Sequence, residues 1–232
     1  MWFSSSTSRH THDKSVVPPY GLTVHSCIRP IICMDGYLNP SEKILKHGTK
    51  LPHWQQSESM QFVTFRLGDA MPQQKIRKWK EEHATWLNIH PKPWSVELEI
   101  EYHQRFSASL ERWLDEGSGS CLMKNPELRK MIEDTLMRDQ GTRVHHHAWV
   151  IMPNHLHLLF TAQTNLESLI KTWKGVSSRK IGQGRIWQKG YRDTMIRDAD
   201  HFENAVRYIR RNPSKLRPEH FTIWQSDRAL MT

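Results

Sequence analysis

The run Ala148-Trp149-Val150-Ile151-Met152-Pro153-Asn154-His155-Leu156-His157-Leu158-Leu159-Phe160 constrains this chain more than any other stretch. Side chains alternate across a β-strand, so residues two apart project from one face. On a strand through His155, Leu156, His157 and Leu158, both imidazoles point one way and the leucines point the other, into a core. Met152-Pro153-Asn154 reads as a tight turn, which makes a hairpin of Thr142 to Val150 and His155 to Thr161. Two neutral imidazoles on one rigid strand supply half of a divalent-metal site. Taken alone, such a pair is more often two ordinary surface or core histidines.

The flanking pattern sets the fold class. Met60 to Leu67 alternates as a first strand, and Pro72 opens a helix in which Ile76, Trp79, His83 and Trp86 recur at spacings of three and four. That stripe reads as packing surface. A second helix is expected over Val96 to Leu114, closed by Gly117-Ser118-Gly119, and a third from Asn125-Pro126 to Arg138. After the hairpin come a helix over Leu166 to Ile181, short extended pieces at Arg185 to Gln188 and Asp193 to Arg197, and a last helix over Asp200 to Arg211. This order predicts an α+β domain, an antiparallel sheet with helices packed on it. Residues 1–50, rich in Ser, Thr, His and Pro, read as a partly disordered extension; 51–217 read as the domain and 218–232 as a tail.

Lys and Arg outnumber Asp and Glu by 33 to 24 in the 232 residues, a formal charge of +9 that favours a polyanionic partner. Cys27, Cys33 and Cys121 form no Cys-x-x-Cys pair, which suits a reduced, cytoplasmic setting. No apolar stretch approaches the roughly 20 residues of a membrane span, so no membrane partner is expected.

The last helix carries the other half of the chemistry. Tyr208 and Asn212 are four positions apart and share a face, away from the core residue Ile209. Pro213 disfavours α geometry at Asn212, so the helix is expected to end there, with Asn212 at a frayed end. An amide oxygen and a phenol docked over the imidazole pair would complete a metal shell and present a nucleophile. Tyr has an ordinary pKa of roughly 10 and needs its proton removed, or charge stabilised nearby, before it attacks.

With these residues assembled, the chain resembles a known family. His155-Leu156-His157 is similar to the His-hydrophobic-His motif of the HUH endonucleases, and Tyr208 with Asn212-Pro213 resembles the nucleophile segment of their single-tyrosine, IS200-like transposase branch. Leu51-Pro52-His53-Trp54, Phe62 to Leu67, Ser120-Cys121-Leu122, Trp187-Gln188, Arg197-Asp198 and His201-Phe202 resemble the REP-associated tyrosine transposases. The resemblance covers roughly residues 50 to 217. It implies a ferredoxin-like fold with extra helices after the first strand, and cleavage and joining of single-stranded DNA at hairpin-bearing sequences. It further implies a 5′-phosphotyrosine intermediate, Tyr208 as nucleophile, and His155, His157 and Asn212 as ligands of Mg²⁺ or Mn²⁺. The expected partner is single-stranded or hairpin DNA, bound by a monomer or homodimer.

Further residues are candidates for DNA contact. Lys171 and Lys174 lie on a basic helix, which is equally a solvated face. Trp187 would stack on an unpaired base or pack in the core, and Gln188 would read a base edge. Arg207, Arg210 and Arg211 flank the tyrosine and would grip the backbone. With Val150 opposite His157, only His146 of the triplet His145-His146-His147 would share the pair's face. It would lie roughly 13 Å away at about 3.4 Å per residue, so the triplet reads as strand surface. The competing function is an inactive relative that binds hairpin nucleic acid without cutting it. A zinc deaminase needs His-x-Glu and Pro-Cys-x-x-Cys, and neither is present.

Overall fold

The computed structural model describes residues 36–47 and 53–232, so the expectation of a partly disordered extension falls mostly outside the described residues. The elements run β1 (Leu45–His47), β2 (His53–Gln55), β3 (Met60–Arg66), α1 (Gln73–Ile89), α2 (Val96–Tyr102) and, after a π turn at His103–Ser107, α3 (Ala108–Asp115). Then follow α4 (Pro126–Met137), β4 (Val144–Ile151), β5 (His155–Ala162), α5 (Leu166–Ile181), β6 (Arg192–Met195), α6 (Ala199–Arg211), β7 (Thr222–Gln225) and α7 (Asp227–Leu230). β1 and β2 form a small hairpin, and five strands form one antiparallel sheet in the order β6-β3-β5-β4-β7. Read across the sheet as β6-β3-β5-β4, these strands are the fourth, first, third and second of the four in chain order. That is the ferredoxin-like arrangement, with α1 to α3 inserted after its first strand.

The helix starts follow from side-chain caps. Asn125 accepts from the backbone N–H of Glu127 and Leu128, Asn165 from that of Ser168, and Asp198 from that of His201. The last of these fixes where α6 begins, and hence which of its residues face the sheet.

β5 lies at the centre of the sheet and is covered on both faces. Leu156, Leu158 and Phe160 pack with Ile132 and Leu136 of α4 and Leu169, Ile170 and Trp173 of α5. Leu159, with Ala148 and Val150 of β4, packs beneath Phe202, Ala205, Val206 and Ile209 of α6. The alternation predicted for the strand therefore sends its leucines at 156 and 158 under α4 and α5, and its imidazoles under α6.

Two expectations change. Val150 does pair with His157, but the register shifts between His146 and Ala148, so His147 is an extra residue in a β-bulge. The bulge reverses the alternation. His146 lies on the α5 face, stacked on Trp173 and buried, while His147 turns to the α6 face and meets the Thr161 hydroxyl at 2.9 Å. Of the triplet, His145 is exposed strand surface as expected, His146 is buried and His147 half-buried, and none extends the imidazole pair. Second, residues 218–232 are integral to the sheet. β7 pairs with β4, and Arg129 of α4 donates to Thr222 Oγ1 and to the carbonyls of Met123, Lys124 and Glu219.

Replacing Arg129 by Ala would leave these buried carbonyls unpaired and should cost about 2–4 kcal/mol. A urea midpoint essentially unchanged from the parent chain would show that this clamp does not hold the C-terminal segment.

Candidate functional site

Adjacent strands place five residues side by side on the α6 face. Thr64 of β3 pairs with His157, Arg66 with His155, and Arg192 of β6 with Thr64. The two imidazole centroids lie 4.8 Å apart, and α6 lays Tyr208 across them with its ring centre 5.0 Å from that of His157. Phe62 supports both, stacked on His157 at 5.6 Å and edge-on to Tyr208 at 5.8 Å.

The hydrogen bonds decide which ring nitrogens are available. The Asn154 amide nitrogen donates to the carbonyls of Leu114 and Ser118, at 3.2 and 3.1 Å, which fixes its oxygen toward His155 Nδ1 at 2.8 Å. An amide oxygen only accepts, so Nδ1 of His155 carries the proton and Nε2 keeps its lone pair. His157 Nδ1 lies 2.7 Å from the Thr64 hydroxyl. With the proton on Nδ1 and Thr64 accepting, Nε2 of His157 is a free donor of electrons to a metal. That Nε2 is buried without a hydrogen-bond partner, and so is Asn212 Oδ1.

Orphaned buried acceptors are costly unless a bound group satisfies them. Two imidazoles and an amide oxygen are a donor set that suits a borderline or hard divalent cation, so these residues fit one. Among the described residues no group of three or more His, Cys, Asp or Glu is arranged to hold a metal. The third donor here is an amide.

Asn212 keeps its place on the Tyr208 face because α geometry persists through it. Its φ and ψ are −53° and −47°, and its N–H bonds the Tyr208 carbonyl before the chain tightens into a 3-10 turn at Asn212–Lys215. The frayed end expected before Pro213 is absent. Pro213 is buried, and anchors the turn instead of displacing the residue before it.

Burial keeps both imidazoles neutral. Desolvation, with the Arg66 charge nearby, lowers His155 to about 3, and desolvation, His155 and Arg192 push His157 well below its ordinary value. Two acidic residues that the sequence reading passed over also reach the site, from the inserted α3. Burial raises the pKa of Glu111, which interacts with Arg192 and with the Tyr208 hydroxyl, and burial also raises Asp115. Burial and these two carboxylates raise the phenol, while Asn212 and Arg192 act in the opposite sense. Only the register of α3 reveals this. Along the sequence, Glu111 reads as one more charge on a solvated helix face.

The model of the family described as "Transposase IS200 like" matches residues 123–212. This segment is an IS200-like transposase domain. It contains the imidazole hairpin, Tyr208 and Asn212, whereas β3, with Thr64 and Arg66, and α3, with Glu111, precede it. The chain is also similar to a solved structure described as a REP-associated tyrosine transposase bound to a REP hairpin. The identity is 19%, covering 72% of this chain and 74% of that one, with a TM-score of 0.41. No curated protein matches the chain. No helix among its described residues is long and apolar enough to cross a membrane.

The other candidate residues are distributed differently. Arg210 donates to Gln225, Ala229 and Thr232 and so ties α6 to the C-terminus. Trp187 is buried, with its indole N–H on Ser177 and its ring edge-on to Phe65. Lys174 lies over the Phe65 ring and donates to the carbonyls of Gln188 and Gly190, on the α5 side of the sheet. Lys171, Gln188, Arg207 and Arg211 are exposed, Arg207 beside Glu203 at 3.6 Å.

Burial also lowers His146 and His147, each to about 4, so four imidazoles are held neutral in the fold. Unfolded, each takes up a proton near pH 6.5, so stability is full above that pH and declines as pH falls toward these lowered values. The thermal midpoint should drop by about 5 °C or more between pH 7 and pH 5. A midpoint flat across that window would mean that the four rings are not held neutral.

Proposed function

We propose that this transposase nicks and transfers single-stranded DNA at hairpin-bearing sequences, with Tyr208 as nucleophile and His155, His157 and Asn212 as ligands of Mg²⁺ or Mn²⁺. The observation that carries the reading is the convergence of the Tyr208 ring on His157, beside the orphaned atoms His157 Nε2 and Asn212 Oδ1. The preference for hairpins is supported by the motif set shared with REP-associated transposases.

The chain's own residues would divide the work as follows. Asn154 and Thr64 hold the imidazoles with Nε2 toward the reacting centre. A bound cation there would act as a Lewis acid on the scissile phosphate. Glu111 is the carboxylate placed to take the phenolic proton, and its own raised pKa brings it closer to a useful base. The Tyr208 oxygen then bonds to phosphorus as the bond from phosphorus to the 3′ oxygen breaks. The products are a 5′-phosphotyrosine and a 3′-hydroxyl, which takes up a proton. Since the phosphodiester bond energy is retained, a 3′-hydroxyl of another strand can reverse the step without a nucleotide cofactor. Arg192 beside the phenol and Lys215 beyond it would offset the charge of the incoming strand.

Incubation with a labelled single-stranded hairpin library and Mn²⁺ should give a covalent protein–DNA adduct, visible as a gel shift that survives denaturation. Tyr208→Phe should abolish the adduct yet keep binding. Binding by the parent chain with no adduct would instead favour an inactive hairpin-binding protein. Glu111→Gln should slow adduct formation by about 10²-fold with little change in DNA affinity. An unaltered rate would remove Glu111 from the proton path.

A further inference from the structure

Arg66 has no task in the fold. Its Nη1 is buried without a hydrogen-bond partner, and among the described residues no carboxylate pairs with it. The other interior arginines differ. Arg129 satisfies four acceptors and Arg210 three, all within the chain. Arg66 is half-buried, and withdrawing even part of a guanidinium from water without a partner is costly; burial alone lowers its pKa to about 10. A fold that wanted only a filler here would place an apolar side chain on β3.

Its position says what it waits for. Arg66 lies directly opposite His155 on the neighbouring strand, with both side chains on the α6 face, so their Cβ atoms are about 5 Å apart. The Arg66 charge acts on His155, and a positive charge beside an imidazole ligand repels a divalent cation. The two become compatible when an anion lies between them, accepting from the guanidinium and facing the metal.

We infer that Arg66 binds a non-bridging oxygen of the scissile phosphodiester, so that the cation and the DNA strand bind this site cooperatively and weakly one without the other. The inference deepens the function proposed above and rests on its assignment of the imidazole pair to a metal. It assigns a binding role to β3, outside the segment that matches the transposase family. By linkage, whatever factor the strand adds to metal affinity, the metal must add to strand affinity.

The test uses the full chain in the Tyr208→Phe background, so that no covalent chemistry intervenes. Mn²⁺ binding is read by electron paramagnetic resonance with and without a mixed-sequence single-stranded hairpin oligonucleotide. With Arg66 present, the oligonucleotide should tighten Mn²⁺ binding about 10-fold or more, the scale of a charge-assisted contact. Arg66→Gln should erase most of that enhancement while leaving Mn²⁺ binding alone equal or tighter, because the repulsion is gone. Arg66→Lys should restore part of the enhancement. Thermal melts of each variant confirm that the fold is kept, and a variant that melts early is replaced by Arg66→Met, which keeps the length of the side chain. Two results would overturn the inference: undiminished enhancement in Arg66→Gln, or Mn²⁺ binding that weakens in that variant without DNA. Failure of the parent chain to form an adduct is a separate outcome that strikes the proposed chemistry. No Mn²⁺ bound under any condition would remove the metal site on which both depend.

Discussion

Burial of β5 on both faces is the constraint from which the rest of this structure follows. A strand covered on one side only can turn its polar residues to water. Here α4 and α5 close one face and α6 closes the other, so every side chain of His155-Leu156-His157-Leu158 is interior. Leucines answer that demand by packing, but imidazoles need partners. Asn154 and Thr64 satisfy one nitrogen of each ring, and the opposite nitrogen of His157 is left with none. The same burial that gives the domain its core thus creates neutral, oriented and unsatisfied donors at one end of the sheet.

The inserted helices matter to that end of the sheet more than to the core. Leu114 of α3 packs with the first core cluster, and its carbonyl holds the Asn154 amide, which in turn sets the His155 tautomer. Three residues earlier on the same helix, Glu111 faces the Tyr208 phenol. One short helix therefore links the protonation of a proposed metal ligand to the environment of the proposed nucleophile. The hydrogen-bond path runs through buried groups, and small displacements of α3 would be felt at both.

Charge around the site is arranged in opposition. Glu111 and Asp115 lie on one side of the phenol, and Arg192 and Lys215 interact with those carboxylates. Burial, together with these carboxylates, holds the phenol protonated at rest. Arg66, half-buried at the far end of the imidazole pair, has no hydrogen-bond partner for its buried Nη1 among the described residues, whereas Arg129, Lys174 and Arg210 each donate to two or more acceptors. An excess of basic residues over the whole sequence indicates an anionic partner only diffusely. The local imbalance at Arg66 gives that partner a place.

Periodicity and punctuation in the sequence determined the strand–helix order, the hairpin, the pairing of Val150 with His157 and the helices over Leu166–Ile181 and Pro126–Met137, because these rest on local alternation, caps and turn residues. The Tyr208–Asn212 spacing likewise placed both on one helical face. What the chain could not disclose by itself depends on contacts between distant segments. The bulge at His147 reverses a face without any glycine or proline to mark it. β7 is a short strand whose pairing with β4 is decided by what lies beside it, and Arg210 is claimed by a C-terminus that closes over it. Glu111 reaches the phenol only because α3 folds back across the end of the sheet. Tertiary structure decided these because their energies come from neighbours fifteen or more positions away or from a single extra residue in a ladder, neither of which leaves a period to read.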